Sequence, residues 1–208
     1  KMIDFVVQRY PKKSLAPVGF SLSGNVLLKY FGEGRKVPGN ISGALAVNPP
    51  VDLRVASDII SRKWSCALFN KYYMRLIRNQ AVALVKQFPS AFNPLKNLKT
   101  IWDFDVSYTA PAGGFKDVDD YYDQSSSKHF LQGIKTPTSI LSAEDDPFVP
   151  GYLFDQVVMS EKIVLHKPEN GGHMGYISRH ATSHGDRRWM DYALLEWIRE
   201  LHESEGKP

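Results

Sequence analysis

Three short pieces near the start of the chain constrain its fold more than anything else. Leu15 to Phe20 (LAPVGF) is an apolar run that ends in a Gly-x-Ser turn. Asn25 to Phe31 (NVLLKYF) has helical patterning and stops at Gly32-Glu33-Gly34. Gly43 to Val47 (GALAV) is a second apolar run, closed by Asn48-Pro49-Pro50. Two buried strands joined through a helix lie parallel, because a hairpin has no room for the helix. A parallel strand is covered on both faces, so the expected class is α/β, with helices packed on either side of a sheet.

The rest of the chain fits that class. Thr138 to Ala143 and Lys162 to His166 read as a third and a fourth strand, and Arg187 to Leu201 as a closing helix. That helix carries Met190, Leu194, Trp197, Ile198 and Leu201 on one face, with Asp186 placed to cap it. Between the second and third strands, Asp52 to Phe88 is helical in pattern. There Phe69, Tyr72, Tyr73, Leu76, Leu84 and Phe88 recur at three- and four-residue spacing and are expected to face a core. Lys71, Arg75, Arg78 and Lys86 fall between them, and Pro111 to Gly114 reads as a loop. With 208 residues, 43% of them hydrophobic, the chain has material for one core. Its one cysteine, Cys66, excludes an intrachain disulfide and a cysteine-cluster zinc site. The formal charge of +4 is spread along the chain, without a stacking or groove-reading motif, so nucleic acid is not an expected partner.

The chemistry concentrates where strands end. Ser21 stands on the strand-to-helix turn Gly19-Phe20-Ser21-Leu22-Ser23-Gly24, the pattern of a nucleophile elbow. Such a turn strains the serine backbone and needs small residues two before and two after it, here Gly19 and Ser23. The following helix aims its free N–H groups at the reaction centre, and the Leu22 N–H is the candidate oxyanion donor. An acid is expected in the loop after the third strand, Ala143-Glu144-Asp145-Asp146. A base is expected after the fourth, in Asn170-Gly171-Gly172-His173-Met174-Gly175. His173 alone among the histidines downstream of the elbow has this glycine context, unlike His129, His166, His180 and His184.

Taken together, GFSLSGNVLLKYFGE at 19–33, Asn48-Pro49-Pro50 with Asp52, AEDDPFVP at 143–150 and NGGHMGY at 170–176 resemble the α/β-hydrolase superfamily. More narrowly they resemble the YheT-type hydrolases, which are related to abhydrolase-domain phospholipases. The resemblance implies a carboxylic-ester hydrolase with Ser21 as nucleophile, His173 as base and Asp146 as acid, with Asp145 the rival for the last role. It implies a small-molecule ester or lipid substrate and neither metal nor organic cofactor. Thioesterase and acyltransferase chemistry use the same groups. One departure is Ser23-Gly24 where the family commonly has Gly-Gly, and some strain is expected there.

The same resemblance sets the expected organisation. Residues 1–208 would form one hydrolase domain carrying a helical cap insertion at 52–128. In the family the nucleophile strand is normally the fifth, and each strand with its crossover takes roughly 30 residues. Only 20 residues precede Ser21, so the chain is expected to be the C-terminal portion of the fold. Its first strand would then expose an apolar edge, to be covered by a further segment or by another chain. The competing expectation is a non-catalytic hydrolase remnant acting as an interaction module through that edge. The chain starts at Lys1 and not at a methionine, so a targeting segment is expected to be able to precede it, and a cytoplasmic location is the working expectation.

Overall fold

The computed structural model describes residues 1–88 and 98–205. They divide into two compact units, Lys1–Val51 with Ser127–Pro208, and Asp52–Ser126. Residues 89–97 of the expected insertion lie outside the described residues.

The first unit is built on a four-stranded parallel sheet, β1 (Val18–Phe20), β2 (Ala44–Val47), β3 (Thr138–Leu141) and β4 (Ile163–His166), in that spatial order. Val18 pairs with Leu45, Leu45 with Ser139 and Ser139 with Val164, so the strands end almost level. Side chains alternate across the sheet. On one face Ala44, Ala46 and Ile140 meet Leu27, Leu28 and Phe31 of helix α2 (Leu22–Gly32), and Ile3 and Val7 of α1 (Met2–Arg9) pack onto the same cluster. On the other face Leu45, Val47 and Leu141 meet the long closing helix (Trp189–Glu205) through Leu194, Trp197 and Ile198. The strands are shorter than their apolar runs, and Leu15 makes only an isolated parallel bridge to Ile41 before Pro17. The closing helix begins two residues later than its pattern, and Asp186 accepts instead from the Arg188 N–H ahead of it, 2.9 Å.

The second unit runs α3 (Leu53–Arg62), α4 (Ala67–Gln87), α5 (Ile101–Phe104), a turn of π-helix (Asp105–Thr109), α6 (Ala110–Ala112) and α7 (Val118–Ser125). Asp52 caps α3 by accepting from the Val55 N–H, and α3 and α4 are separate helices joined by a single turn, Trp64–Cys66. Pro111, expected in a loop, sits in α6, which continues directly from the π-turn, and the helix ends within two residues of it. The face of α4 differs from the expectation. Met74 and Ala81 are buried, whereas Tyr72, Leu76 and Phe88 are exposed. The helix has apolar residues around most of its circumference. The stripe of smaller side chains turns inward and leaves larger ones in solvent. No helix among the described residues is long and apolar enough to cross a membrane.

A buried acid marks this unit. Asp105 accepts from the Thr109 hydroxyl at 2.6 Å and from the Tyr122 hydroxyl at 2.7 Å, and Ser57 lies 2.7 Å from the same phenol. Burial raises the Asp105 carboxyl above the usual carboxylate range, against the two hydroxyl donors. The folded unit therefore holds the proton more tightly than the unfolded chain. Between the unfolded and the raised folded value the unfolded state binds fewer protons, so stability falls as pH rises through that window. Thermal unfolding of the wild type compared with Asp105→Asn from mildly acidic to neutral pH should show the variant gaining relative stability as pH rises. A difference independent of pH would refute it.

Candidate active site

Ser21 lies between β1 and α2 with φ 50° and ψ −123°. It occupies the N-cap position of α2, where a serine hydroxyl ordinarily bonds to the helix, but it makes no such bond. Its backbone is held from both sides. The N–H donates to Val47 O of β2 at 2.8 Å, and the carbonyl accepts from Gly24 N–H at 2.9 Å. The tight approach expected between Gly19 and Ser23 falls mainly between Gly19 and Gly24. A Cβ on Gly19 would stand 2.7 Å from the Gly24 Cα and 2.7 Å from the Ser23 carbonyl oxygen. The Ser23 side chain turns back instead. Its hydroxyl donates to the Phe20 carbonyl at 2.7 Å and accepts from the Phe20 N–H at 2.9 Å. A residue expected to strain the turn thus closes it, satisfying polar groups at the end of an edge strand. Leu22 is the first residue of α2, where an N–H has no acceptor within its own helix.

The other two expected side chains converge on Ser21. His173 Nε2 lies 2.9 Å from Ser21 Oγ, and His173 Nδ1 lies 2.7 Å from Asp146 Oδ2. A carboxylate oxygen can only accept, so the Nδ1 carries the proton and Nε2 is left free to accept from the serine hydroxyl. The Asp146 side chain is 0% exposed. Its other oxygen accepts from the N–H groups of Phe148 at 3.0 Å and Val149 at 2.9 Å. The neighbouring Asp145 points elsewhere, accepting from Gly171 N–H at 2.9 Å and Gly172 N–H at 2.7 Å. One acid therefore faces the imidazole while the other holds the loop that carries it. The loop bends this sharply because Gly171 has no side chain; a Cβ there would lie 2.3 Å from the Tyr176 ring. His166 stacks on Trp197 at 4.2 Å, and His184 packs edge-on against Tyr192, so both are engaged outside this group.

Two contributors escaped sequence reasoning. Asn48, fully buried at the end of β2, shares its two Nδ2 hydrogens among Asp146 Oδ2 at 2.8 Å, Gly172 O at 2.7 Å and His173 O. Its Oδ1 accepts from the Tyr176 hydroxyl and from the Ala143 N–H at 3.3 Å. Burial pushes the Tyr176 phenol well above its usual range, which keeps it a neutral donor. Among the described residues the non-glycine positions with positive φ are Ser21, Asn48 (42°) and Tyr176 (41°). All three belong to this one network, and backbone strain of that kind collects at functional sites. The visible signal was the Asn-Pro-Pro stop after β2, since asparagine tolerates the left-handed region better than most residues. No group of three or more His, Cys, Asp and Glu among the described residues is placed to hold a metal ion.

Comparison with known proteins agrees with this architecture. No family model matches the chain. A monoacylglycerol lipase of Saccharomyces cerevisiae is 31% identical over 206 residues, covering 94% of this chain and 44% of that protein. The YheT protein of Escherichia coli is 28% identical over 197 residues, covering 92% of this chain and 56% of its own length. The chain has the α/β-hydrolase fold, and proteins it resembles in sequence are named as esterases and lipases. It spans about half the length of the curated relatives it matches. In structure, an esterase domain from a Rhodothermus marinus protein superposes with a TM-score of 0.50 at 12% identity, covering 96% of this chain and 65% of that one. That likeness concerns the fold of the hydrolase sheet and its helices.

Asn48 gives the site its own stability test. Asn48→Gly keeps the backbone angle but leaves Asp146, Tyr176 and two loop carbonyls short of a partner. Urea unfolding should show a loss of at least about 2 kcal/mol, since a buried group left unpaired costs roughly 1–3 kcal/mol and several are left here. A loss near zero would mean that water replaces the amide.

Proposed function

We propose that the protein is a carboxylic-ester hydrolase that works through an acyl-enzyme. The observation that carries this reading is the unbroken line from Ser21 Oγ through His173 to the buried Asp146, at 2.9 and 2.7 Å. The Ser21 oxygen attacks the ester carbonyl carbon as its proton passes to His173 Nε2. The carbonyl oxygen gains the negative charge, and the Leu22 N–H at the start of α2 is the donor for it. When the carbonyl reforms, the bond to the leaving alkoxide breaks and the alkoxide takes the proton from His173. Water then attacks the acyl-serine with His173 again as base, releasing the acid and restoring Ser21. Asp146 holds the imidazole and balances its transient charge.

The names of the relatives support an ester or lipid substrate. One is a monoacylglycerol lipase, and another yeast protein, 28% identical, is named a medium-chain fatty acid ethyl ester synthase/esterase. The helical unit between β2 and β3 has the chain position of a cap insertion, and we assign it that role. The alternative, an interaction module, draws on the position of β1 at the end of the described sheet, with Phe20 exposed. On either reading the outer side of β1 is where a further strand, from another segment or another chain, would add.

A fluorophosphonate probe separates the two readings. It should label Ser21, identified by peptide mass, and fail on Ser21→Ala. Absence of labelling in the folded protein would favour the module. Within the enzyme reading, Asp146→Asn should lower kcat about 10⁴-fold, the loss expected when a histidine base loses its orienting carboxylate. Asp145→Asn should act mainly on the His173 loop and lower kcat far less. Reversal of the two effects would reassign the acid.

A further inference from the structure

We propose that the outward face of α4 is a docking surface for an anionic lipid membrane. The inference rests on the surface of the helical unit alone and holds whether or not Ser21 is a nucleophile. An ordinary surface helix shows solvent a polar face. This one does not. Leu68, Tyr72 and Leu76 follow one another at four-residue intervals, which stacks them along one side, and all three are exposed. Trp64, in the turn just before the helix, extends the same ridge. Trp64 is 88% exposed and Leu68 81%, nearly as open as in an unfolded chain. The inward stripe of Met74 and Ala81 is separate, so the helix has two apolar sides and only one of them is used by the core.

Charge indicates what the second side meets. Between Asp58 and Asp103 the sequence contains no acidic residue, whereas Lys63, Lys71, Arg75, Arg78 and Lys86 all fall in that interval, along with Arg62, which pairs with Asp58 at 3.3 Å. On the helix, Lys71 and Arg75 lie along one flank of the Leu68–Tyr72–Leu76 ridge, and Arg78, whose guanidinium donates to the Leu98 carbonyl, continues the strip. A chain of only +4 overall has thus set much of its positive charge beside its most exposed apolar side chains. That pairing is the signature of a helix lying in a membrane interface. Tryptophan and leucine enter the boundary between headgroups and acyl chains, and lysine and arginine reach anionic headgroups. Long basic side chains suit this, because their stems lie along apolar surface while the charged ends stay at the water. A second copy of the chain fits less well, since it would bring an identical positive strip against this one.

The test is sedimentation of the 208-residue chain with phosphatidylcholine vesicles and with mixed phosphatidylcholine–phosphatidylglycerol vesicles. Binding to the mixed vesicles should be at least about tenfold tighter, and raised salt should weaken it. Trp64 emission, isolated by difference from Trp64→Phe, should shift to the blue on binding. Lys71→Glu with Arg75→Glu should lower affinity at least about tenfold, as two charges on such a surface require. Leu68→Ser should also weaken binding, with circular dichroism showing that every variant keeps its helix content. Equal binding to both vesicle types, or unchanged binding by the charge variant, would overturn the proposal. So would a concentration-dependent dimer, abolished by Leu68→Ser, in a chain that binds no vesicles.

Discussion

The left-handed backbone at Ser21 is the constraint around which the first unit is arranged. It turns the chain from β1 into α2 within a single residue, so strand and helix must nearly touch. Gly19 and Gly24 meet backbone against backbone at that point, and any side chain on Gly19 would collide. The strain has to be held by something rigid. The Ser21 N–H is tied to β2, its carbonyl to the first turn of α2, and the Phe20 end groups to the Ser23 hydroxyl. In return the Ser21 hydroxyl is freed from helix capping and stands where His173 can reach it.

Level strand ends do the remaining positioning. Because β1, β2, β3 and β4 are parallel and nearly in register, the residues that follow them emerge along one edge of the sheet. Ser21, Asn48, Asp146 and His173 each come from the segment after a different strand. Residues 152 apart in sequence are thus brought to hydrogen-bond distance without any long loop crossing the sheet. Asn48 matters because it follows β2, the strand that lies between those preceding the serine and the acid. Its one amide touches the acid, the histidine loop and Tyr176 at once. Neutral N–H donors from Asn48, Phe148 and Val149 satisfy the buried Asp146 alongside the imidazole N–H, without a fixed positive charge.

What was legible in the sequence follows from how local each signal is. The turn at Ser21, the glycine-flanked His173 and the acid pair after β3 depend on neighbours within a few residues, so they could be read directly. The choice of Asp146 over Asp145 came from resemblance, and the structure shows the physical difference as two directions of hydrogen bonding. Asn48 was visible only as a strand stop, because its partners lie 95 to 128 residues away. Ser23 was misjudged because a size argument cannot see a hydroxyl turning back onto Phe20. The core face of α4 was misjudged for a different reason. Periodicity finds that an apolar stripe exists, but a helix with two such stripes does not say which one is buried.

That ambiguity in α4 also shows what each unit is built to tolerate. In the first unit both sheet faces are apolar and both are covered, so side-chain changes there disturb packing on which the Ser21 turn depends. The second unit enters the chain between β2 and β3, and those strands pair directly with each other. Its length and surface can therefore vary without altering strand register. Its own interior is small, with Leu53, Ala110, Val118 and Tyr122 as the buried cluster and a hydrogen-bonded acid beside it. Large exposed apolar residues on such a unit carry a solubility cost that packing within the unit does not offset. In the proposed docking, contact with an anionic membrane covers those residues and offsets that cost.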